Sequence, residues 1–162
     1  MSSTYEPIAT NTLTSGASSV TFSSIPSTYT DLVLVAAIKG TSTIYRQLTV
    51  NGDNGSNYSI TELIGDGSGA SSSRQSSTTA MGMMEATNNS SDETAISIFN
   101  FMNYANTTTY KTVITRSNKH NRTGAIVGLW RSTSAINSIT LSAFSNTYAT
   151  GSTFTLYGIE SE

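Results

Sequence analysis

Apolar residues recur at every second position through most of this chain, and a two-residue period predicts strands rather than helices. The plainest case lies towards the C-terminus. Ile136, Ile139, Leu141 and Phe144 alternate largely with Ser and Thr, Phe154 and Leu156 do the same beyond Gly151, and the turn-forming run SNTYATG separates them. This pattern predicts a closing hairpin of two half-buried strands, with Trp130, Phe154 and Leu156 packed in the core. Residues 31–39, DLVLVAAIK, are the most continuously apolar run and predict a central strand covered on both faces.

Alternation also marks strands at 19–22, 44–50, 58–64, 80–85, 94–102 and 110–116. An earlier strand holds Ile8 and Leu13, and Pro7, which has no amide hydrogen, confines it to a sheet edge or a strand start. NGDNG at 51–55 is a dense turn signal, because Gly and Asn tolerate the positive φ that a tight connection needs. SNKHNR at 117–122 reads as a polar turn. Two stretches break the period. Ser2, Ser3, Thr4, Tyr5 and Glu6 read as an extended polar arm, and GDGSGASSSRQSSTT at 65–79 reads as a mobile polar loop. Roughly ten short strands, without any 3.6-residue period, predict an all-β domain spanning residues 1–162. Its expected form is an antiparallel β-sandwich, jelly-roll-like.

Composition narrows the chemistry. About a third of the residues are Ser or Thr, but they interleave with Val, Ile, Leu, Phe and Tyr, so they read as outward strand faces and not as a disordered tract. Cys is absent, which closes disulfide, thiol and thiolate-metal chemistry. Charged residues make up 11% of the chain and the net charge is −2, too weak a field for phosphate neutralisation; nucleic acid is not an expected partner. No apolar run approaches the ~20 residues of a membrane-spanning helix, so membrane insertion is not expected. Met1 to Glu6 lack the basic region and apolar core of a signal peptide.

Candidate chemistry is sparse. His120, the single histidine, lies between Lys119 and Asn121 and reads as a solvated loop residue rather than a triad member. Asp53 and Asp66, with Asn51, Asn54 and Asn57, offer oxygens to calcium, but the spacing is not that of an EF-hand and turn chemistry accounts for them. GDGSGASSS lacks the Lys-Ser/Thr of a phosphate cradle. Tyr45, Tyr58, Tyr104, Tyr110, Tyr148, Tyr157 and Trp130 include candidates for a sugar-stacking platform, although most suit the core with hydroxyls at its rim. No catalytic, cofactor or metal site is expected.

The phrases YEPIATNTL, SVTFSSIPSTYTDLVLV, RQLTVNGDNGSNYSIT and GLWRSTSAINSITLSAFSNTYATGSTFTLYGIE resemble small virion proteins of tailed phages that infect aquatic bacteria. The resemblance weakens over residues 65–92. It implies a non-enzymatic structural module on the capsid surface, a decoration or cement protein that binds the major capsid protein and stabilises the assembled head, with homotrimers expected. The alternative it implies is a tail-fibre or tail-tip module that recognises host glycans. Expected partner contacts are the arm Ser2, Ser3, Thr4, Tyr5 and Glu6, and the loop residues Arg74, Lys119, His120 and Arg122.

Overall fold

The computed structural model describes residues 4–40, 44–86 and 93–160. Its strands are β1 (Tyr5–Thr12), β2 (Ser19–Phe22), β3 (Asp31–Lys39), β4 (Ile44–Val50), β5 (Tyr58–Gly65), β6 (Ala70–Thr78), β7 (Met81–Ala86), β8 (Thr94–Phe101), β9 (Lys111–Lys119), β10 (Arg122–Trp130), β11 (Ile139–Ala143) and β12 (Thr153–Ile159). The chain folds back on itself in nested antiparallel pairs: β1 with β12, β2 with β11, β3 with β8 and β4 with β7. Successive pairs fall alternately into two sheets, so β1-β12-β3-β8 lies against β2-β11-β4-β7. That rolled arrangement is a jelly roll. Two hairpins are inserted into it, β5–β6 before β7 and β9–β10 before β11, and they join each other through β10 and β5. The first sheet thereby grows to eight strands, ordered β1-β12-β3-β8-β9-β10-β5-β6.

Period-two patterning decides which residues fill the sandwich. Leu32, Leu34, Ala36 and Ile38 of β3, Phe99 and Phe101 of β8, and Phe154 and Leu156 of β12 are buried, and they share one core with Leu48 and Val50 of β4 and Ile139 and Leu141 of β11. Trp130 joins the same cluster. Two glycines admit side chains packed directly against the backbone of the large sheet. A Cβ at Gly128 would stand 2.3 Å from Met81 Sδ, and one at Gly158 would stand 2.4 Å from the Tyr29 ring. The outer face is solubilised by hydroxyl pairs across strands, Thr10 with Thr155 at 3.2 Å and Thr12 with Thr153 at 3.4 Å.

Several expectations change. The closing segments do not form a hairpin: β11 lies in the four-stranded sheet and β12 in the eight-stranded one, and the intervening chain crosses between them. Alternation reports a half-buried strand and says nothing about its partner. Residues 65–79 are not a loop, because β6 pairs with β5 along its length. Eight of its nine residues are exposed, so neither face carries the apolar signal by which a strand is read. The strand at 31–39 is central, but Val35 and Ala37 on its outer face are only half-buried. The arm also differs: Tyr5 and Glu6 belong to β1 and pair with Ile159 and Gly158, and Thr4 accepts a bond from Glu160 N at 3.3 Å. Ser2 and Ser3 lie outside the described residues. Pro7 sits on an edge strand as expected, at an irregularity between Pro7 and Ala9.

Candidate functional site

The inserted strands leave and rejoin the roll at one corner, and this corner positions the site. Asn51 and Gly52 both adopt positive φ, 52° and 65°, and Asp53 N bonds back to Val50 O at 3.0 Å. Such a turn favours Asn followed by Gly, since each tolerates the left-handed region. Here it carries the chain from β4 in one sheet to β5 in the other. The Asn51 side chain then pins the return loop: its Nδ2 donates to Ala135 O at 2.7 Å, and its Oδ1 accepts from Asn137 N at 2.9 Å and Ser138 N at 3.2 Å. Asp53 Oδ2 accepts from the Trp130 indole at 2.7 Å and from Asn57 at 2.9 Å, while Oδ1 accepts from Gly55 N at 2.8 Å. These bonds, the indole foremost, hold the Asp53 carboxyl below the usual carboxylate range. Burial pushes the nearby Tyr58 hydroxyl up to about 12, and it donates to Asp53 O at 2.9 Å. Arg131 completes the corner with bonds to Ser59 Oγ and Ser56 O. The segments NGDNGSNYS and GLWRSTSAINS therefore interlock in space.

Beyond this corner the eight-stranded sheet continues past the β7 edge of the smaller sheet. A groove of about 460 Å³ lies there, lined by Tyr45, Gln47, Gly82 and Phe144 from one sheet and by Ile60, Glu62, Ile64, Gln75 and Arg122 from the other. Tyr45 and Gln47 occupy the face of β4 opposite the buried Arg46 and Leu48. Phe144 follows β11 and is tied to Tyr45 by a backbone bond of 2.6 Å. Phe144 is 73% exposed and Tyr45 46%, so the two aromatics form an open rim. Phe144 is thus not the half-buried strand residue that its spacing predicts. The floor comes from the inward face of β5, where Ile60 stands opposite Gln75 and Glu62 opposite Ser73. Ser73 Oγ donates to Glu62 Oε1 at 2.5 Å. Gly82 lines the groove beside Ile60, where a Cβ would come within ordinary contact of Ile60 Cδ1, 3.4 Å away. Arg46 backs the groove from the core side; it donates to Ser97 Oγ, and burial lowers its guanidinium to about 10.

A second cavity of about 410 Å³, lined by Asp66, Ser68, Gly69, Ala70 and Ser71, shares Ile64 and Arg122 with the first. Asp66 Oδ1 accepts from Ser68 N and Gly69 N, both at 3.0 Å, and these bonds, with Arg122 adding less, keep its carboxyl below the usual range. Among the described residues no three His, Asp or Glu side chains gather where they could hold a metal ion. Asp53 and Asp66 are instead occupied by turn hydrogen bonds.

The loop residues named from the sequence separate. Arg122 lines the groove. Arg74 pairs with Thr61 and points to the other face of β6 from Gln75. Lys119 ends β9 opposite Arg122, across a tight turn that holds His120. His120 is more than a solvated residue, because its Nδ1 lies 2.7 Å from Glu93 Oε1. Of the candidate platform aromatics, Tyr58, Tyr104, Tyr148 and Trp130 are buried, Tyr157 is half-buried, and Tyr45 and Tyr110 are exposed. Glu62, Gln75 and Phe144 are groove residues that sequence reasoning missed, since they are far apart along the chain and none belongs to a motif. No family model matches this chain, and no curated protein matches it.

Proposed function

We propose that this protein is a non-enzymatic virion structural protein of a tailed phage, which decorates the assembled head by docking the outer face of its eight-stranded sheet on the major capsid protein. The observation that carries this reading is a band of exposed aliphatic side chains on that face. Ile96 of β8, Ile114 of β9, Val127 of β10 and Leu63 of β5 are 37–55% exposed, and Ile114 stands directly opposite Val127. Val127 in turn neighbours Thr61, and Leu63 lies opposite Ala125. An antiparallel sheet with one solvated face ordinarily presents polar residues there, as the Thr pairs of β1 and β12 do. Aliphatic residues on four adjoining strands, with the exposed Arg116 and Asn118 of β9 among them, instead suit a partner surface. Binding only the assembled shell would stabilise that shell by mass action. The phage-virion resemblance read from the sequence phrases points the same way, and trimers on the shell are part of the proposal.

The test is a density map and protein quantification of virions of the encoding phage. Many copies on the head shell are expected, and a location confined to the tail would reject the proposal. Leu63→Asp combined with Val127→Asp should strip the protein from heads while leaving its melting temperature close to that of the unaltered chain, because both side chains are about half exposed and neither belongs to the core.

A further inference from the structure

We infer that the groove between the two sheets is a binding site for a neutral oligosaccharide, with Tyr45 and Phe144 as its stacking rim and Gln75, Glu62 and Arg122 as its polar contacts. The chemistry of the lining selects this class. A pyranose presents a flat face of C–H groups and an equator of paired hydroxyls. An exposed aromatic ring meets the first as an apolar platform. The second needs donors and acceptors set side by side, which amides, carboxylates and guanidinium groups provide. The groove holds both kinds together, two rings at the rim and Gln47, Gln75, Glu62 and Arg122 around them.

Shape and charge favour this class over its neighbours. The volume, about 460 Å³, lies within the roughly 300–1,000 Å³ usual for small-molecule sites. Yet the rim is open to solvent, with Phe144 73% exposed, whereas a site for a greasy ligand encloses its aromatics. The adjoining cavity that shares Arg122 and Ile64 extends the groove along β5 and β6, as a chain of sugars requires. Two carboxylates, Glu62 and Asp66, and two guanidinium groups, those of Arg122 and the buried Arg46, line the joined cavities, so no net positive charge draws an acidic sugar or a phosphate. Glu62 and Thr61 are successive residues of β5, so the glycan groove and the proposed shell-docking face lie on opposite sides of one sheet. The protein can therefore hold a particle on one face and a saccharide on the other.

A multivalent display of the full chain, applied to an array of neutral and acidic oligosaccharides, tests the inference. Retention on neutral glycans is expected. Phe144→Ala and Gln75→Ala should each weaken it roughly tenfold, the scale of one aromatic or polar contact, and Gly82→Leu should abolish it by filling the groove. The Phe144 and Gln75 side chains lie at the surface, so Trp130 fluorescence and melting temperature should stay unchanged in both variants. Retention of no neutral glycan, preference for acidic glycans, or neutral binding that all three variants keep would overturn the proposal. Head occupancy of the same variants on virions is a separate reading: it reports the docking face, so either proposal can fail without the other.

Discussion

The two ends of the eight-stranded sheet are built on opposite terms. At the β1 end, β12, β3 and β8 lie over the smaller sheet and bury Leu34, Phe99, Phe101, Phe154 and Leu156 completely. At the other end β6 pairs with β5 alone and leaves almost every side chain exposed. The edges differ as well. Both edges carry an irregularity in register, but β1 is blunted further by Pro7, which offers no amide hydrogen to another chain, whereas β6 has no Pro along its nine residues. The roll supplies stability, and the inserted hairpins supply surface: one wall of the groove and three of the four residues of the aliphatic band lie on β5, β6, β9 and β10.

The largest test of this contrast compares the two ends directly. Leu34→Ala, in the fully buried part of the roll, should cost about 2–5 kcal/mol through lost burial and the cavity left behind, whereas Gln75→Ala on β6 should change stability by less than about 0.5 kcal/mol. Urea unfolding of both variants measures this, and equal losses would remove the distinction between the ends.

An intermediate effect is expected where the ends join. Asn51 makes three side-chain hydrogen bonds to the 135–138 loop while holding a positive φ. Asn51→Ala should therefore cost about 1–3 kcal/mol. Asn51→Gly relieves the backbone and still forfeits the bonds, so it should recover only part of that loss. Hydrogen exchange should show the inserted strands loosening before the roll does; loosening spread evenly over both would reject the corner as their anchor.

The smallest effect is local and pH-dependent. The folded Asp53 carboxyl lies below its unfolded value, so its contribution is fully present above the unfolded value and disappears as pH falls through the lower folded one. Fluorescence of Trp130, the single tryptophan, should change as pH drops below about 4. Asp53→Asn keeps an acceptor for the indole and should flatten that response.

Elements of the roll were legible because burial imprints itself on the alternation of residues. Segments 19–22, 31–39 and 44–50 appear as strands with the bounds the pattern predicts, and Trp130, Phe154 and Leu156 are core residues. NGDNG was legible for a different reason, the conformational tolerance of Asn and Gly. β6 was illegible because a strand with no buried face has no period to show. Phe144 was misleading, since it continues the β11 alternation but stands beyond that strand's end, on the solvent side with Tyr45.

By itself, then, the sequence determined the all-β class, the central strand, the sharp turn at Asn51 and the near-neutral, hydroxyl-rich surface, because these follow from local preference and from whether a side chain is apolar. Tertiary structure alone decided that β11 and β12 part into different sheets, that Asp53 meets Trp130, and that Tyr45, Glu62, Gln75, Arg122 and Phe144 share one groove. Those facts depend on strand order, which is set by how two sheets close over a common core and leaves no mark on the spacing of residues along the chain.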